Sequence, residues 1–229
     1  MARIFSVLAL LALALLAANF VVGLSFGDFN AASQTRRAAG ERLDRVTREL
    51  RAKRLRTSPE LDAAKAEYLA AGRQFESPRG WMKLHMLLGA GAAMLAILVN
   101  SITVTYFIGT SRWCKEVCET YRLPVELAER STRLKRSTFP WALAGILTLI
   151  LLVGLGAAAD PTGANYEQSA SFVTIHYVAA IVGLVIVAVS FAVQISRIAA
   201  NYAVIEEILA AVREIRERKE REAAAAASP

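Results

Sequence analysis

The sequence predicts an all-α integral membrane protein, a four-helix bundle with an extracytoplasmic helical hairpin and cytoplasmic helical extensions. Three observations carry that expectation. Hydrophobic residues fill 55% of the 229 positions, against roughly 45 to 50% in a soluble domain. The excess is confined to four blocks, Phe5 to Leu24, Leu84 to Gly109, Phe139 to Ala159 and Phe172 to Ile195, and none of them holds Lys, Arg, Asp or Glu. Each block is close to or above the roughly 20 residues a helix needs to cross the hydrocarbon layer. A helix also satisfies its own backbone there, which an isolated strand cannot do.

Residues 1–24 form the first transmembrane helix. The apolar run is longer than the roughly 7 to 15 residues of a signal-peptide core, and only Arg3 precedes it, so it reads as an uncleaved signal anchor. Cleavage near Ala17 in "LLAAN" is the alternative and would leave three spans. Residues 25–80 are expected to form an extracytoplasmic helical hairpin. Leu43, Val46 and Leu50 recur at helical spacing, as do Leu61, Ala64 and Tyr68. Thr57 to Glu60 separates the two runs, with Ser58 suited to cap the second helix and Pro59 to open it.

Residues 81–110 make transmembrane helix 2, and residues 111–138 a cytoplasmic helical connection. Trp113, Val117 and Tyr121 keep the helical spacing as far as Pro124, so the second helix should run on past the membrane boundary near Arg112. Residues 139–159 are transmembrane helix 3, 160–170 a short external loop and 171–196 transmembrane helix 4. Residues 197–229 form a cytoplasmic helical tail in which Ile198, Tyr202, Ile205, Leu209 and Val212 trace a coiled-coil-like seam. The final "AAAAASP" reads as a frayed end. The two extensions leave the bilayer on the same side and can pack together.

Lys and Arg beside the spans set the orientation. Ser111 to Thr138 carries Arg112, Lys115, Arg122, Arg130, Arg133, Lys135 and Arg136, whereas Asp160 to Ala170 carries none. That contrast places both termini in the cytoplasm of a cell inner membrane. The hairpin is itself basic, but its first residues, "SFGDFNAASQT", hold no positive charge. The net charge of +7 is spread among acids in every polar segment, a pattern that excludes a nucleic-acid surface. Cys114 and Cys118 lie four apart and share a helix face. With no His beside them they read as free thiols packed at a helix interface in a reducing compartment.

The chain has two histidines, and both lie near the start of a span. His85 sits two residues after Lys83, and His176 opens the fourth span in "SFVTIHYVAAIVGL". Spans two and four run in the same direction, so both imidazoles lie near one membrane face, at depths differing by roughly 4 to 5 Å. From His85 the same helix face continues through Gly89 and Ala92, and from His176 through Ala180 and Gly183. Small residues beside two facing imidazoles leave room for a flat macrocycle, so a single b-type haem is the leading expectation, with His85 and His176 as its axial metal ligands. Arg79 and Lys83 lie just outside His85, where propionates would meet them.

Other readings of the same residues stand beside that one. Gly and Ala let membrane helices approach closely without any cofactor, and a histidine near a span end can bond a headgroup or a carbonyl. Met82 and Met86 beside His85 would suit copper, and a metal-free pair would suit a proton relay or a quinone contact. Asn100 and Thr103 continue the His85 face and read as interhelical hydrogen-bonding groups. Ionisable residues are absent from the middle of every span, which argues against a charge-coupled ion transporter. No phosphate loop, dinucleotide fingerprint or HExxH motif is present. Two functions are therefore expected to compete. One is a haem b electron carrier exchanging electrons with a quinone or a partner subunit. The other is a non-catalytic membrane scaffold whose hairpin and tail bind a protein partner or a second copy of the chain.

Overall fold

The computed structural model describes residues 2–25, 27–163 and 166–226. Five helices follow one another: α1 (Ala2–Ser25), α2 (Phe29–Ala52), α3 (Pro59–Tyr121), α4 (Val125–Ala158) and α5 (Ser169–Ala226). No strand occurs among the described residues. Residues 164 and 165 of the expected external loop, and 227–229 of the expected frayed end, lie outside them.

Local chemistry fixes the helix ends. Gly27 turns the chain after α1 at a φ of +70°, a conformation glycine adopts without steric cost. Asp28 then caps α2 by accepting a 2.8 Å hydrogen bond from the Ala31 amide. Ser58 and Pro59 open α3 as the sequence suggests, with the Leu61 amide donating to Ser58 Oγ at 3.1 Å. Two helices end by the same device. Arg54 and Arg122 each adopt a left-handed φ, +56° and +54°. The leucine after each donates its amide to a carbonyl five residues back, Leu55 to Leu50 and Leu123 to Cys118, both at 2.9 Å.

Helices run farther than the segment boundaries read from the sequence. α3 is 63 residues long and passes through Pro78, so the second arm of the expected hairpin and the second span are one continuous helix. α4 begins at Val125 and passes through Pro140, joining the expected cytoplasmic connection to the third apolar block in one helix. A proline inside a helix deprives the carbonyl four residues earlier of its donor; both helices nevertheless stay intact. α1, α3, α4 and α5 are long and apolar enough to cross a membrane. Their apolar side chains include Leu87 and Met94, 75% and 73% exposed, surface that a hydrocarbon solvent would cover.

Contacts divide the chain into two compact units, and α1, α3, α4 and α5 each contribute to both. The first contains α1 as far as Leu13, Met94–Leu149, and α5 from Val185 onward. Phe5 meets Phe191 edge to face with centroids 6.5 Å apart, and Phe107, Leu149, Val187 and Ile208 are fully buried. Polar side chains are threaded through this core. Gln194 Nε2 donates to Asn100 Oδ1 at 2.9 Å and to Ser190 Oγ at 2.8 Å, and Ser190 Oγ donates to the Trp141 carbonyl. Asn201 accepts from Ser131 Oγ at 2.8 Å, while its Nδ2 donates to Thr110 Oγ1 and the Tyr106 hydroxyl.

The expected packing of the extensions is realised. Cys114, Cys118, Ala128, Val204, Ile208 and Val212 form one buried cluster, flanked by Trp113, Val117 and Tyr121. The α5 seam differs from the periodicity reading, because Ile198, Asn201, Val204, Ile208 and Val212 are buried whereas Tyr202 and Leu209 are 51% and 42% exposed. A hydrogen-bonded Asn201 takes an interior place that an apolar template assigns to its neighbour Tyr202. Both thiols are free, and burial raises their pKa values above the ordinary thiol range.

The second unit contains Ala14–Ala93 and Ile150–Leu184. Here α2 runs antiparallel to the first part of α3. Phe29 stacks on Phe75 at 5.3 Å, Gly40 abuts Tyr68, and Arg42 pairs with Glu67. Leu50, Leu61, Ala64 and Ala71 are buried in this unit.

Candidate functional site

Both histidines belong to the second unit. The rings of His85 on α3 and His176 on α5 make an edge-on contact, with centroids 6.4 Å apart and planes inclined at 81°. Two imidazoles sharing one metal, with each metal–nitrogen bond about 2.0 to 2.1 Å long, have centroids roughly 6 Å apart once the ring radii are added. The observed 6.4 Å is close to that separation, with the rings in an edge-on arrangement.

His85 Nδ1 lies 3.1 Å from the Asn19 carbonyl oxygen. A carbonyl can only accept, so in the neutral ring Nδ1 carries the proton and Nε2 keeps the lone pair. His176 Nδ1 is buried without a hydrogen-bond partner among the described residues, and so is Asn19 Oδ1. His176 Nδ1 and Asn19 Oδ1 are thus two buried polar atoms left unpaired, which is costly in an apolar region.

Glycines make room for the rings. A Cβ on Gly23 would stand 2.9 Å from His85 Cε1, and one on Gly156 would stand 3.2 Å from His176 Cε1. Each imidazole therefore leans into a glycine notch on a neighbouring helix, His85 against α1 and His176 against α4. Gly89 serves Asn19 instead, since a Cβ there would come within 2.8 Å of Asn19 Nδ2. Phe20 stacks on Tyr177 at 5.8 Å beside the site.

Of the residues singled out in the sequence, His85 and His176 are brought together. Ala92 and Gly183 are buried on the histidine-bearing helices, and Ala180 is half-buried. Arg79 and Lys83 are exposed and line a cavity with Met82 and Met86, on the side of α3 that faces α2. Sequence reasoning passed over Asn19, Gly23 and Gly156. Asn19 carried a usable signal as the one amide in the first apolar block, because a polar side chain within a span is there for a partner. No group of three or more His, Cys, Asp and Glu side chains suited to a metal ion occurs among the described residues. The chain matches no protein-family model, no curated protein and no solved structure, so its chemistry is read from this geometry.

Proposed function

We propose that this multi-pass membrane protein is an electron carrier in which His85 and His176 hold a b-type haem between them. The observation that carries the reading is the 6.4 Å separation of the two rings. The donor set fits. Two imidazoles without a third protein ligand suit a group that brings its own equatorial donors better than a bare ion, which draws four ligands from protein and water. The glycine notches at Gly23 and Gly156 fit as well, because they seat the rings without steric conflict.

A haem held by His85 and His176 would supply a one-electron couple, which suits electron transfer. The chain's own groups do the rest. The Asn19 carbonyl holds the Nδ1 proton of His85, which fixes the ring and raises the basicity of Nε2. Ala92, Ala180 and Gly183 keep the flanking helix faces narrow. The exchange partner is a quinone or a neighbouring subunit within a cell inner membrane, with both termini of this chain in the cytoplasm. A copper site using Met82 and Met86 finds less support, since both thioethers line the cavity beside α2.

A scaffold role draws on a different observation. Tyr202 and Leu209 stay half-exposed on the α5 tail, beyond its apolar span, and offer a contact surface to a partner or a second copy.

A visible absorption spectrum of protein purified in detergent from haem-replete cells tests the main reading. Sharp low-spin bands on reduction are expected, and they should disappear in His85→Ala and in His176→Ala. A colourless preparation would overturn the carrier and leave the scaffold.

A further inference from the structure

A second site in the same unit owes nothing to the histidines. A cavity of about 710 Å³ opens between α2 and α3, within the range of roughly 300 to 1,000 Å³ that ligand sites occupy. Its floor includes the stacked pair Phe29 and Phe75. Along α3 it continues past Arg79 to Met82, Lys83 and Met86, where the apolar block begins at Leu84. Trp81 is 44% exposed at this level, the position where amphipathic rings meet lipid headgroups. One end of the cavity is therefore aqueous, and the other belongs to the membrane interface.

The charge in the cavity is unbalanced. Arg37 is matched by Glu41 at 3.3 Å. Arg36 is held over the Phe75 and Tyr68 rings, 5.1 and 5.9 Å from their centroids, so its position consumes no negative charge. Arg79 and Lys83 make no ion pair among the described residues. Against these three cations stands Asp44. We propose that the cavity binds the headgroup of an anionic phospholipid, with the phosphodiester among Arg36, Arg79 and Lys83 and the acyl chains along Met82 and Met86. A soluble anion would use the cations but would have no use for a thioether- and phenyl-lined floor that runs into the apolar span.

Native mass spectrometry of the full chain in non-ionic detergent provides the test, with phosphatidylglycerol and phosphatidylcholine as probes. Phosphatidylglycerol should be retained in preference to phosphatidylcholine, and inorganic phosphate should fail to displace it. Arg79→Gln/Lys83→Gln should weaken phosphatidylglycerol binding about thirtyfold, as expected for the loss of two cations near a headgroup. Arg45→Gln/Arg48→Gln, an equal charge change on α2 outside the cavity, should leave binding unchanged, with circular dichroism confirming that both variants stay helical. Equal retention of the two lipids, displacement by phosphate, or an equal loss in the control pair would overturn the site. So would an Arg79→Gln/Lys83→Gln protein that keeps its lipid preference but sheds bound haem, since the pair would then belong to propionates.

Discussion

Gly154 and Gly156 stand two residues apart on α4, and their surroundings differ. Nothing lies within 4 Å of a Cβ built on Gly154, whereas a Cβ on Gly156 meets His176 Cε1 at 3.2 Å, and one on Gly23 meets His85 Cε1 at 2.9 Å. Gly23→Ala must shift the His85 ring or the α1 backbone, an overpacking cost of about 1 to 3 kcal/mol. Gly156→Ala should cost less, because its neighbour needs to give by only a few tenths of an ångström. Gly154→Ala should be neutral or stabilising by up to about 1 kcal/mol. Thermal unfolding of the three variants in detergent orders them, and an equal effect at all three positions would remove the notch argument. The histidines were legible in the sequence because a chain with two of them places both near span starts. The notches were not legible, because nothing in the sequence says which glycine of α1 or α4 will meet a ring carried by α3 or α5. A second residue-level prediction concerns the thiols. Burial raises the pKa values of Cys114 and Cys118, so the reactive thiolate is scarcer at pH 8 than in a solvated cysteine. Alkylation followed by mass spectrometry should proceed more slowly in the folded protein than after denaturation. The sign for stability follows. Protonated thiols favour the fold below their unfolded pKa, and that contribution fades as pH rises through the raised folded value.

At the scale of elements, four apolar blocks foretold four helices long and apolar enough to cross a membrane, because the length needed to cross hydrocarbon is a fixed physical requirement. Element ends and inward faces were harder to read. The boundary drawn after residue 80 is absent, and α3 continues through Pro78 as well, since one lost donor costs a long helix less than breaking off would. On α5 the apolar pattern favours Tyr202 and Leu209, but the buried register is Ile198, Asn201, Val204, Ile208 and Val212. The difference lies in Asn201, whose amide satisfies Ser131, Thr110 and Tyr106 at 2.8, 3.0 and 3.2 Å. Once those partners are in place, an amide is an acceptable core residue, and a periodicity scan that counts only apolar positions misses it. Asn201→Ala would strand buried partners and should lower stability by about 1 to 3 kcal/mol. Tyr202→Ala on the exposed face should stay within about 0.5 kcal/mol. Unfolding in mixed detergent micelles compares the two, and a larger loss for Tyr202→Ala would restore the periodic seam.

For the whole molecule, four helices are long and apolar enough to cross, and four crossings would return the chain to its starting side, with the termini in one compartment and the turn between α2 and α3 in the other. Which compartment holds the termini depends on Lys and Arg near the spans, counted as residues rather than as net charge. That distinction matters in this chain. Arg112, Lys115, Arg130 and Arg133 in the segment between the second and third spans all have carboxylate partners, so their net field is small although their number is high. Asp160 to Ala170 contains Asp160 and Glu167 and no cation. Cysteine accessibility tests the resulting orientation in a Cys114→Ala/Cys118→Ala background. Leu55 is 54% exposed at the turn after α2, and Glu222 is exposed on the α5 tail. A membrane-impermeant maleimide added to intact spheroplasts should label Leu55→Cys at once and Glu222→Cys only after lysis. The opposite pattern would invert the protein in the membrane without altering how His85 meets His176. Labelling of both positions before lysis would mean an even number of crossings between them, and one of α3, α4 and α5 would then have to lie elsewhere than across the bilayer.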